Sequence, residues 1–254
     1  MNANNKRKYI LKWNKFQQQY EKYFEKKFAT ALQLQLKSFI KSQDVMSIPS
    51  YPIYEVLLNL YKTCGVEWAK ISSKFIKKAD GQMGINERII ELMNQYFGID
   101  LLNDAELMTR YSREIISNIL MSSIEKGLSF DDIVNLLLVH PEFNKMRAMR
   151  IARTETVTAA NAAAYVYANE SGVELNKIWI AVKDKRTRHD HSLVDGITID
   201  YNQPFIVGGI EMMQPGVRTQ PNGLPVPAKE TVNCRCTSAY IAKRDSQGKI
   251  ISKR

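Results

Sequence analysis

Residues 150–172, RIARTETVTAANAAAYVYANESG, combine a charged beginning with an almost featureless body rich in alanine. Arg150, Arg153 and Glu155 lie at the start, and Gly172 stands at the end, where glycine commonly follows the last turn of a helix. The stretch therefore predicts one helix over about residues 144–171. Because alanine side chains have little bulk, we expect another element to approach this helix closely.

The residues before this helix have the periodicity of further helices. We expect a long first helix over about 5–41, a turn at DGQMG (80–84), and helices over about 85–97 and 103–126. Ser129 is the expected cap of another short helix, SFDDIVNLLL. Helices joined by short turns indicate a bundle.

The residues after Gly172 have a different texture. KIWIAVKD (177–184) alternates as a strand does, and the remainder is rich in glycine and proline, with room only for short strands. The sequence thus predicts an α+β protein, with a mostly helical N-terminal region followed by a small compact α+β domain. We place the helical region at 1–144, the α+β domain at 145–242 and a basic tail, expected to fray, at 243–254.

One face of the predicted first helix is aromatic. Its aromatic side chains recur every three or four residues, at Tyr9, Trp13, Phe16, Tyr20, Tyr23, Phe24 and Phe28. Burial in a core is the favoured interpretation. An anchor on a partner is the alternative, and the regular helical spacing argues against the stacking of bases.

The positive charge is concentrated at the two ends of the chain. The net charge of the whole chain is +10, and residues 1–41 hold ten Lys and Arg against two Asp and Glu, a net charge of +8. Such segments favour a polyanion, so double-stranded DNA is one expected partner. The candidate DNA-binding residues are Lys6, Arg7, Lys8, Lys12 and Lys15. A solvated lysine-rich helix explains the same charges without DNA.

Other compositional features exclude several classes of protein. No apolar run has the roughly 18 residues of a transmembrane helix, so no membrane partner is expected. The N-terminus has no apolar stretch behind its basic residues, which argues against a signal peptide. Cys64, Cys234 and Cys236 do not make a disulfide framework, which fits assembly in a reducing cytoplasm.

The unusual polar residues fall in four short segments: RIARTET, DKRTRHDH, LVDG and NCRC. The candidate polar network consists of Arg150, Arg153, Glu155, Asp184, Arg186, Arg188, Asp195, Asn233 and Arg235. The favoured interpretation is a structural clasp between the start of the alanine-rich helix and the DKRTR turn, because buried networks of this kind fix one geometry. The alternative is that the arginines hold phosphates.

His191, Cys234 and Cys236 are candidate metal ligands. Zinc prefers thiolate and imidazole ligands, and a Cys-x-Cys pair supplies two of them. A fourth ligand would come from His189, Asp184 or water. The alternative without zinc is that both cysteines are small buried hydrophobic residues and that His191 makes structural hydrogen bonds.

In their order along the chain, these motifs resemble the minor head protein family of tailed phages typified by Mu protein F. The matching residues are Arg153, Thr154, Glu155, Thr156, Trp179, Asp184, Arg186, Arg188, His191, Asp195, Gly196 and Asn233 to Cys236, within about residues 145–240. The resemblance implies a head morphogenesis protein, present in few copies inside the capsid and assembled in the host cytoplasm. It implies binding to the portal protein and to capsid or scaffold proteins, and a contact with DNA during packaging or ejection.

Two enzymatic functions compete with a structural role. The sequence HDH, His189-Asp190-His191, suggests a metal-dependent nuclease, since both residue types bind metals that activate water. If these residues form a strand, however, the two histidines share a face and Asp190 points away. A toxin-like enzyme is the other alternative. The chain lacks the phosphate-loop, dinucleotide, HExxH and GxSxG motifs, so we expect no enzyme and no catalytic residue.

Overall fold

The computed structural model describes residue 1, residues 3–76 and residues 85–253, and the side chains of residues 3, 85–90 and 92–99 are outside that description. The turn expected at 80–84 also lies outside the described residues. Within them, the α+β class predicted from the sequence is confirmed, with long helices in the first two thirds and short antiparallel strands after residue 174.

The described helices are six longer ones and two short ones. They are α1 (Ala3–Ser42), α2 (Tyr51–Leu60), α3 (Val66–Ser73), α4 (Ile85–Glu125), α5 (Phe130–Val139), α6 (Lys145–Asn169), α7 (His189–Leu193) and α8 (Ala228–Thr231). A π-helical turn, Tyr61–Gly65, joins α2 to α3, and short 3₁₀ turns occur at Val45–Ser47 and Pro141–Phe143. Ser129 caps α5 as expected, in a reciprocal capping box with Asp132.

The described strands form two antiparallel sheets. They are β1 (Leu175–Ile180), β2 (Thr198–Asp200), β3 (Phe205–Val207), β4 (Ile210–Met212) and β5 (Thr237–Ala242). The first sheet has the order β2-β1-β5, and the second is the hairpin of β3 and β4. In the first sheet β1 is central, with Leu175 opposite Ala242 and Ile180 opposite Thr237.

The contacts divide the chain into two units that do not follow the order of the sequence. The mixed unit contains Met1–Tyr20, Tyr61–Met93 and Arg153–Arg254, and the helical unit contains Glu21–Leu60 and Asn94–Ala152. These units group residues by their contacts and do not test the domain boundary predicted between residues 144 and 145. That boundary stays a prediction.

In the mixed unit, the first turns of α1 pack on the sheet. Trp13 is fully buried, and its indole Nε1 donates to the backbone carbonyl of Arg235 at 2.7 Å. The Tyr9 hydroxyl donates to the carbonyl of Ser238 in β5 at 2.7 Å. Both aromatic side chains also contact the ring of Trp68 in α3. The aromatic stripe is thus core as predicted, except at Tyr23, which is exposed.

The alanine-rich helix α6 is the second packing surface of the mixed unit. Its alanines from 159 to 164 are buried, which confirms the close approach expected from their small size. One neighbour is the loop at Gly216, which has a left-handed φ of 81°. A Cβ at Gly216 would lie 3.0 Å from the Cα of Thr158, so only glycine fits this approach without a shift.

The helical unit has an apolar core and a buried polar network. Its core residues are Leu36, Phe39, Ile48, Ile116, Ile133, Leu137 and Phe143. The Gln35 amide donates to Thr109 Oγ1 at 2.8 Å and accepts from Ser112 Oγ at 2.9 Å. The Arg147 guanidinium donates to the same Ser112 hydroxyl at 2.9 Å and to the Met108 carbonyl, which completes the network.

Several local predictions are wrong. The helices expected at 85–97 and 103–126 are one continuous helix, α4, because a single glycine at 98 costs only about 1 kcal/mol in a helix. The strand expected over 177–184 is β1, which ends at Ile180. The HDH segment begins the short helix α7, so the argument from a strand does not apply to it. The tail expected to fray is paired instead, since Ser252 bridges to Val173.

No helix within the described ranges is both long enough and apolar enough to cross a bilayer.

The packing of α1 on the sheet predicts a large effect of one aromatic side chain. Trp13→Ala should reduce the stability of the mixed unit by about 3–5 kcal/mol, because it leaves a cavity beside the rings of Phe16 and Trp68. Leu11→Ala is the matched control on the same helix, since Leu11 is 61% exposed, and it should change stability by less than about 0.5 kcal/mol. Native-state hydrogen exchange of the β5 amides measures both changes. Equal protection in the two variants would contradict the packing described.

Candidate functional site

The polar segments meet in the mixed unit, and the first contact is an ion pair. The Arg235 guanidinium binds the Asp184 carboxylate through two hydrogen bonds of 2.5 and 2.6 Å. The backbone N–H of Arg186 donates to the same carboxylate at 2.9 Å, and the Arg186 side chain lies 3.5 Å from it. These contacts, led by the Arg235 guanidinium, hold the pKa of Asp184 well below its usual range.

The start of α6 reaches a different partner, Asn233. The Arg153 guanidinium donates to Asn233 Oδ1 at 3.3 Å, and the Asn233 N–H donates to Thr154 Oγ1 at 3.0 Å. Asn233 has a left-handed φ of 59°, a conformation that asparagine tolerates better than most residues. The Arg188 guanidinium donates to the carbonyl of Val232, the preceding residue. The NCRC loop is thus held from two sides.

Two other members of the predicted network have separate partners. Glu155 is buried and accepts from Tyr61 at 3.1 Å and from Arg218 at 2.6 Å. Arg150 belongs to the helical unit, where it donates to Glu142 at 2.7 Å. The structure therefore distributes the predicted network over several distinct contacts.

Asp195 joins two basic segments that are far apart in the sequence. Its carboxylate lies 3.0 Å from Lys6 Nζ in α1 and 2.9 Å from Lys183 Nζ in the turn after β1. It also accepts from the backbone N–H of Ala181 at 3.0 Å. The other candidate DNA-binding residues, Arg7, Lys8, Lys12 and Lys15, are exposed, and the Lys12 ammonium lies over the ring of Phe75.

His191, Cys234 and Cys236 form a buried cluster. His191 Nδ1 lies 3.4 Å from the Cys236 sulfur and 3.6 Å from the Cys234 sulfur, and the three atoms lie within 4.8 Å of one another. The backbone N–H of Cys236 lies 3.4 Å from the Cys234 sulfur, to which it donates. The Cys236 thiol also donates to the Cys234 sulfur, which lowers the pKa of the Cys234 thiol.

The second ring nitrogen of His191 has its own partner. His191 Nε2 lies 3.0 Å from Glu230 Oε2, and both side chains are buried. A neutral imidazole that donates from Nε2 presents a lone pair at Nδ1, toward the two sulfurs. Histidines that bind metals are commonly oriented by a carboxylate on the other nitrogen in this way.

The dimensions of the cluster fit a tetrahedral zinc site. Zinc–sulfur bonds of about 2.3 Å and zinc–nitrogen bonds of about 2.1 Å place neighbouring sulfur and nitrogen ligands about 3.6 Å apart. The distances of 3.4 and 3.6 Å in the cluster agree with this separation. Among the described residues, these three form the one group of His, Cys, Asp or Glu side chains whose ligand atoms lie close enough to share a metal ion.

The structure separates the residues of the HDH segment. His191 is buried in the cluster, Asp190 is half-buried and His189 is exposed at the start of α7. His189 is not a member of the metal-ligating group, and neither is Asp184, which binds Arg235. His189 and Asp184, the two side chains proposed as a fourth zinc ligand, therefore do not lie with the three residues of the cluster.

Three buried polar residues of the site were missed in the sequence. Glu230 orients His191, and its signal is an acidic residue four positions before Cys234. Asn161 is the single amide among the alanines of α6. Lys177 lies in an apolar strand and donates to the carbonyl of Met213 at 2.8 Å. Its burial lowers the pKa of the Lys177 ammonium to about 7.

Comparison with known proteins gives this arrangement a family. The minor head protein GP7 of Bacillus phage SPP1 is 28% identical over 56% of this chain and 46% of its own length. The uncharacterized protein YqbB of Bacillus subtilis is 29% identical over 54% of this chain and 44% of its own length. The NAD(+)–arginine ADP-ribosyltransferase EFV of Enterococcus faecalis is 27% identical over 63% of this chain and 36% of its own length. The chain spans less than half the length of each of these relatives. No solved structure matches the chain.

The family match and the relative GP7 together support a likeness to the phage minor head proteins. Residues 114–239 match the family described as Phage Mu protein F like protein, and this match includes α6, the cluster and the first half of β5. This match supports the resemblance to the Mu protein F like family that the order of the motifs indicated.

The ion pair of Asp184 predicts a dependence of stability on pH. Because the folded-state pKa of Asp184 is lowered, the pair stabilises the fold above the unfolded pKa of about 4, and this contribution is lost as the pH falls below that value. Asp184→Asn should therefore reduce the free energy of unfolding at pH 7 by up to about 1 kcal/mol, since the pair is partly exposed. Urea unfolding at pH 7 and below pH 4 measures the difference, which should shrink in acid.

Glu114→Gln removes one exposed negative charge from α4 and serves as the control. A loss of stability for Asp184→Asn that stays constant from pH 7 down to acid would contradict the assignment.

Proposed function

We propose that the protein is a minor component of a tailed-phage head, present in few copies inside the capsid and bound to the portal. The observation that supports this proposal is the family match over residues 114–239, together with the relative that is named a minor head protein. Assembly into the head takes place in the host cytoplasm, through contacts with portal, capsid and scaffold proteins.

We also propose that the mixed unit contacts double-stranded DNA through a basic surface. This surface consists of Arg7, Lys8, Lys12 and Lys15 of α1 with Lys183, Lys185 and Arg186 of the turn after β1. The shared ion pairs of Lys6 and Lys183 with Asp195 support it, because they bring α1 beside that turn. Clustered lysines and arginines attract the phosphate backbone without regard to base sequence.

Loss and replacement of the protein in the phage tests the role in the head. Particles made without the protein should package DNA poorly or fail to infect, and the wild-type chain supplied in trans should restore infection. Packaged DNA per particle and infectious titre are the measurements. Normal packaging together with normal infection in the absence of the protein would overturn the proposal.

A variant that loses three positive charges tests the contact with DNA. It is supplied in trans to phage that lack the protein, and it is also studied as purified protein. The triple variant Arg7→Gln, Lys8→Gln, Lys185→Gln keeps the core residues of α1, which a deletion of residues 1–41 would remove. Its salt slope for duplex binding should fall by about 0.9 for each phosphate that the variant no longer neutralises. The control is the triple variant Lys22→Gln, Lys37→Gln, Lys41→Gln in the helical unit, with the same change in charge. Equal slopes in the two variants would contradict a DNA contact at the basic surface.

We propose in addition that His191, Cys234 and Cys236 hold a structural zinc ion. The agreement of the sulfur–nitrogen distances with a tetrahedral site and the carboxylate on His191 Nε2 support this proposal. Zinc would cross-link α7 to the chain just before β5. Such sites contribute directly to the free energy of folding.

Elemental analysis of the purified protein tests the zinc site. The wild type should contain about one zinc ion per chain, and His191→Ala should lose it. His189→Ala is the matched control two residues away, and it should retain the metal because His189 is exposed and outside the cluster. A wild-type protein that stays free of metal after refolding with zinc would show that the cluster is held by hydrogen bonds alone.

The enzymatic alternatives receive less support from the geometry. A nuclease built on His189, Asp190 and His191 would need these side chains at one metal, whereas His191 groups with Cys234 and Cys236 and not with His189 or Asp190. The relative named an ADP-ribosyltransferase aligns over only 36% of its length. We therefore propose a structural rather than a catalytic role.

A further inference from the structure

A tetrahedral zinc ion at the cluster needs one ligand more than the cluster supplies. The candidate donors nearby have other partners: both oxygens of Asp184 bind Arg235, and Glu230 binds His191 Nε2 through Oε2. Three donors with an open fourth position is the arrangement in which zinc takes a water molecule or an exchangeable ligand. The question is then which chemical group reaches that position.

A small pocket leads from the surface to the cluster. Its walls are His191, Cys234 and Cys236 together with Val182, Arg186, Thr187, Arg188, Asn233 and Arg235. Its inner space has room for about one water molecule. A ligand that enters here must therefore present a single small group.

The charges around the pocket favour an anionic group. Two thiolates and one neutral imidazole leave a bound Zn²⁺ without net charge, so the metal does not repel an anion. Arg186 and Arg188 line the entrance, and Arg188 is anchored by the carbonyl of Val232, which carries no formal charge. Asp184 offsets one of the three arginine charges, since it binds Arg235 and lies 3.5 Å from Arg186. A planar carboxylate matches the fork of an arginine side chain and is also a ligand that zinc accepts.

We propose that the fourth position of this site takes an exchangeable carboxylate that enters through the pocket between Arg186 and Arg188. This inference rests on the zinc site proposed above. The carboxylate belongs either to a small molecule or to an Asp or Glu side chain of another polypeptide. In the second case the protein joins a neighbour through a shared metal.

Cobalt substitution makes the fourth ligand visible. The full-length protein is refolded with Co²⁺ in place of zinc, because the visible absorption bands of tetrahedral Co²⁺ change when a ligand is exchanged. Added acetate should shift these bands with saturation, and acetamide, which has a similar shape but no charge, should leave them unchanged. Arg186→Gln should weaken the apparent affinity for acetate several-fold. Lys185→Gln, an exposed neighbour outside the pocket lining, should leave that affinity unchanged.

The outcomes separate the two proposals. A protein that takes up no cobalt would overturn the zinc site itself. Tetrahedral bands that do not respond to acetate would leave the metal in place and overturn the exchangeable carboxylate. A response to acetate that is equal in Arg186→Gln and Lys185→Gln would overturn the role of the arginine pocket.

A blocked peptide distinguishes the two sources of the carboxylate. A short peptide with one glutamate and neutral ends is added in place of acetate. A band shift at lower concentration than acetate assigns the position to a protein side chain, and a shift with acetate alone assigns it to a small carboxylate.

Discussion

The side chain of Asn161 is the contact on which the rest of the mixed unit depends. Its amide nitrogen donates to the carbonyls of Val157 and Cys236, at 3.0 and 3.1 Å, and its oxygen accepts from Thr237 Oγ1 and the Ser238 N–H, at 2.9 and 3.1 Å. One buried amide thus satisfies all its hydrogen-bonding groups and fixes α6 against the start of β5. The Cys-x-Cys pair immediately precedes this point, so its position follows from the same contact.

Arg153 to Glu155 and the alanine-rich body of α6 serve different purposes in the mixed unit. The alanines permit a close approach, and Arg153 and Thr154 at the helix start hold the loop that carries the cysteines. Glu155 links the helix to Tyr61 and Arg218. Because each contact involves different partners, the helix positions the cysteine loop without a single continuous ion network.

The sequence predicted the local features well because they depend on local periodicity. The bounds of α1 and α6, the cap at Ser129 and the burial of the aromatic stripe all follow from residue spacing. The pairing of His191 with the two cysteines was also a reasonable prediction, since those residue types share a chemistry.

The long-range arrangement was beyond that reasoning. Nothing in the spacing of residues indicates that Tyr9 donates to Ser238, or that α1 lies in the same unit as the cysteines. Such contacts are chosen by the burial of the whole core rather than by any short pattern. Glu230 was missed for the same reason, because its place four positions before Cys234 is a weak signal, and only the fold brings its carboxylate to His191.

The proposed place of the chain in a phage head rests on the family match over residues 114–239 and on the relative named a minor head protein. The measurement that tests this most directly is the copy number of the chain in purified particles, by quantitative mass spectrometry, before and after triggered DNA ejection. We expect a few copies in every full particle. Absence of the chain from full particles would contradict a place in the head.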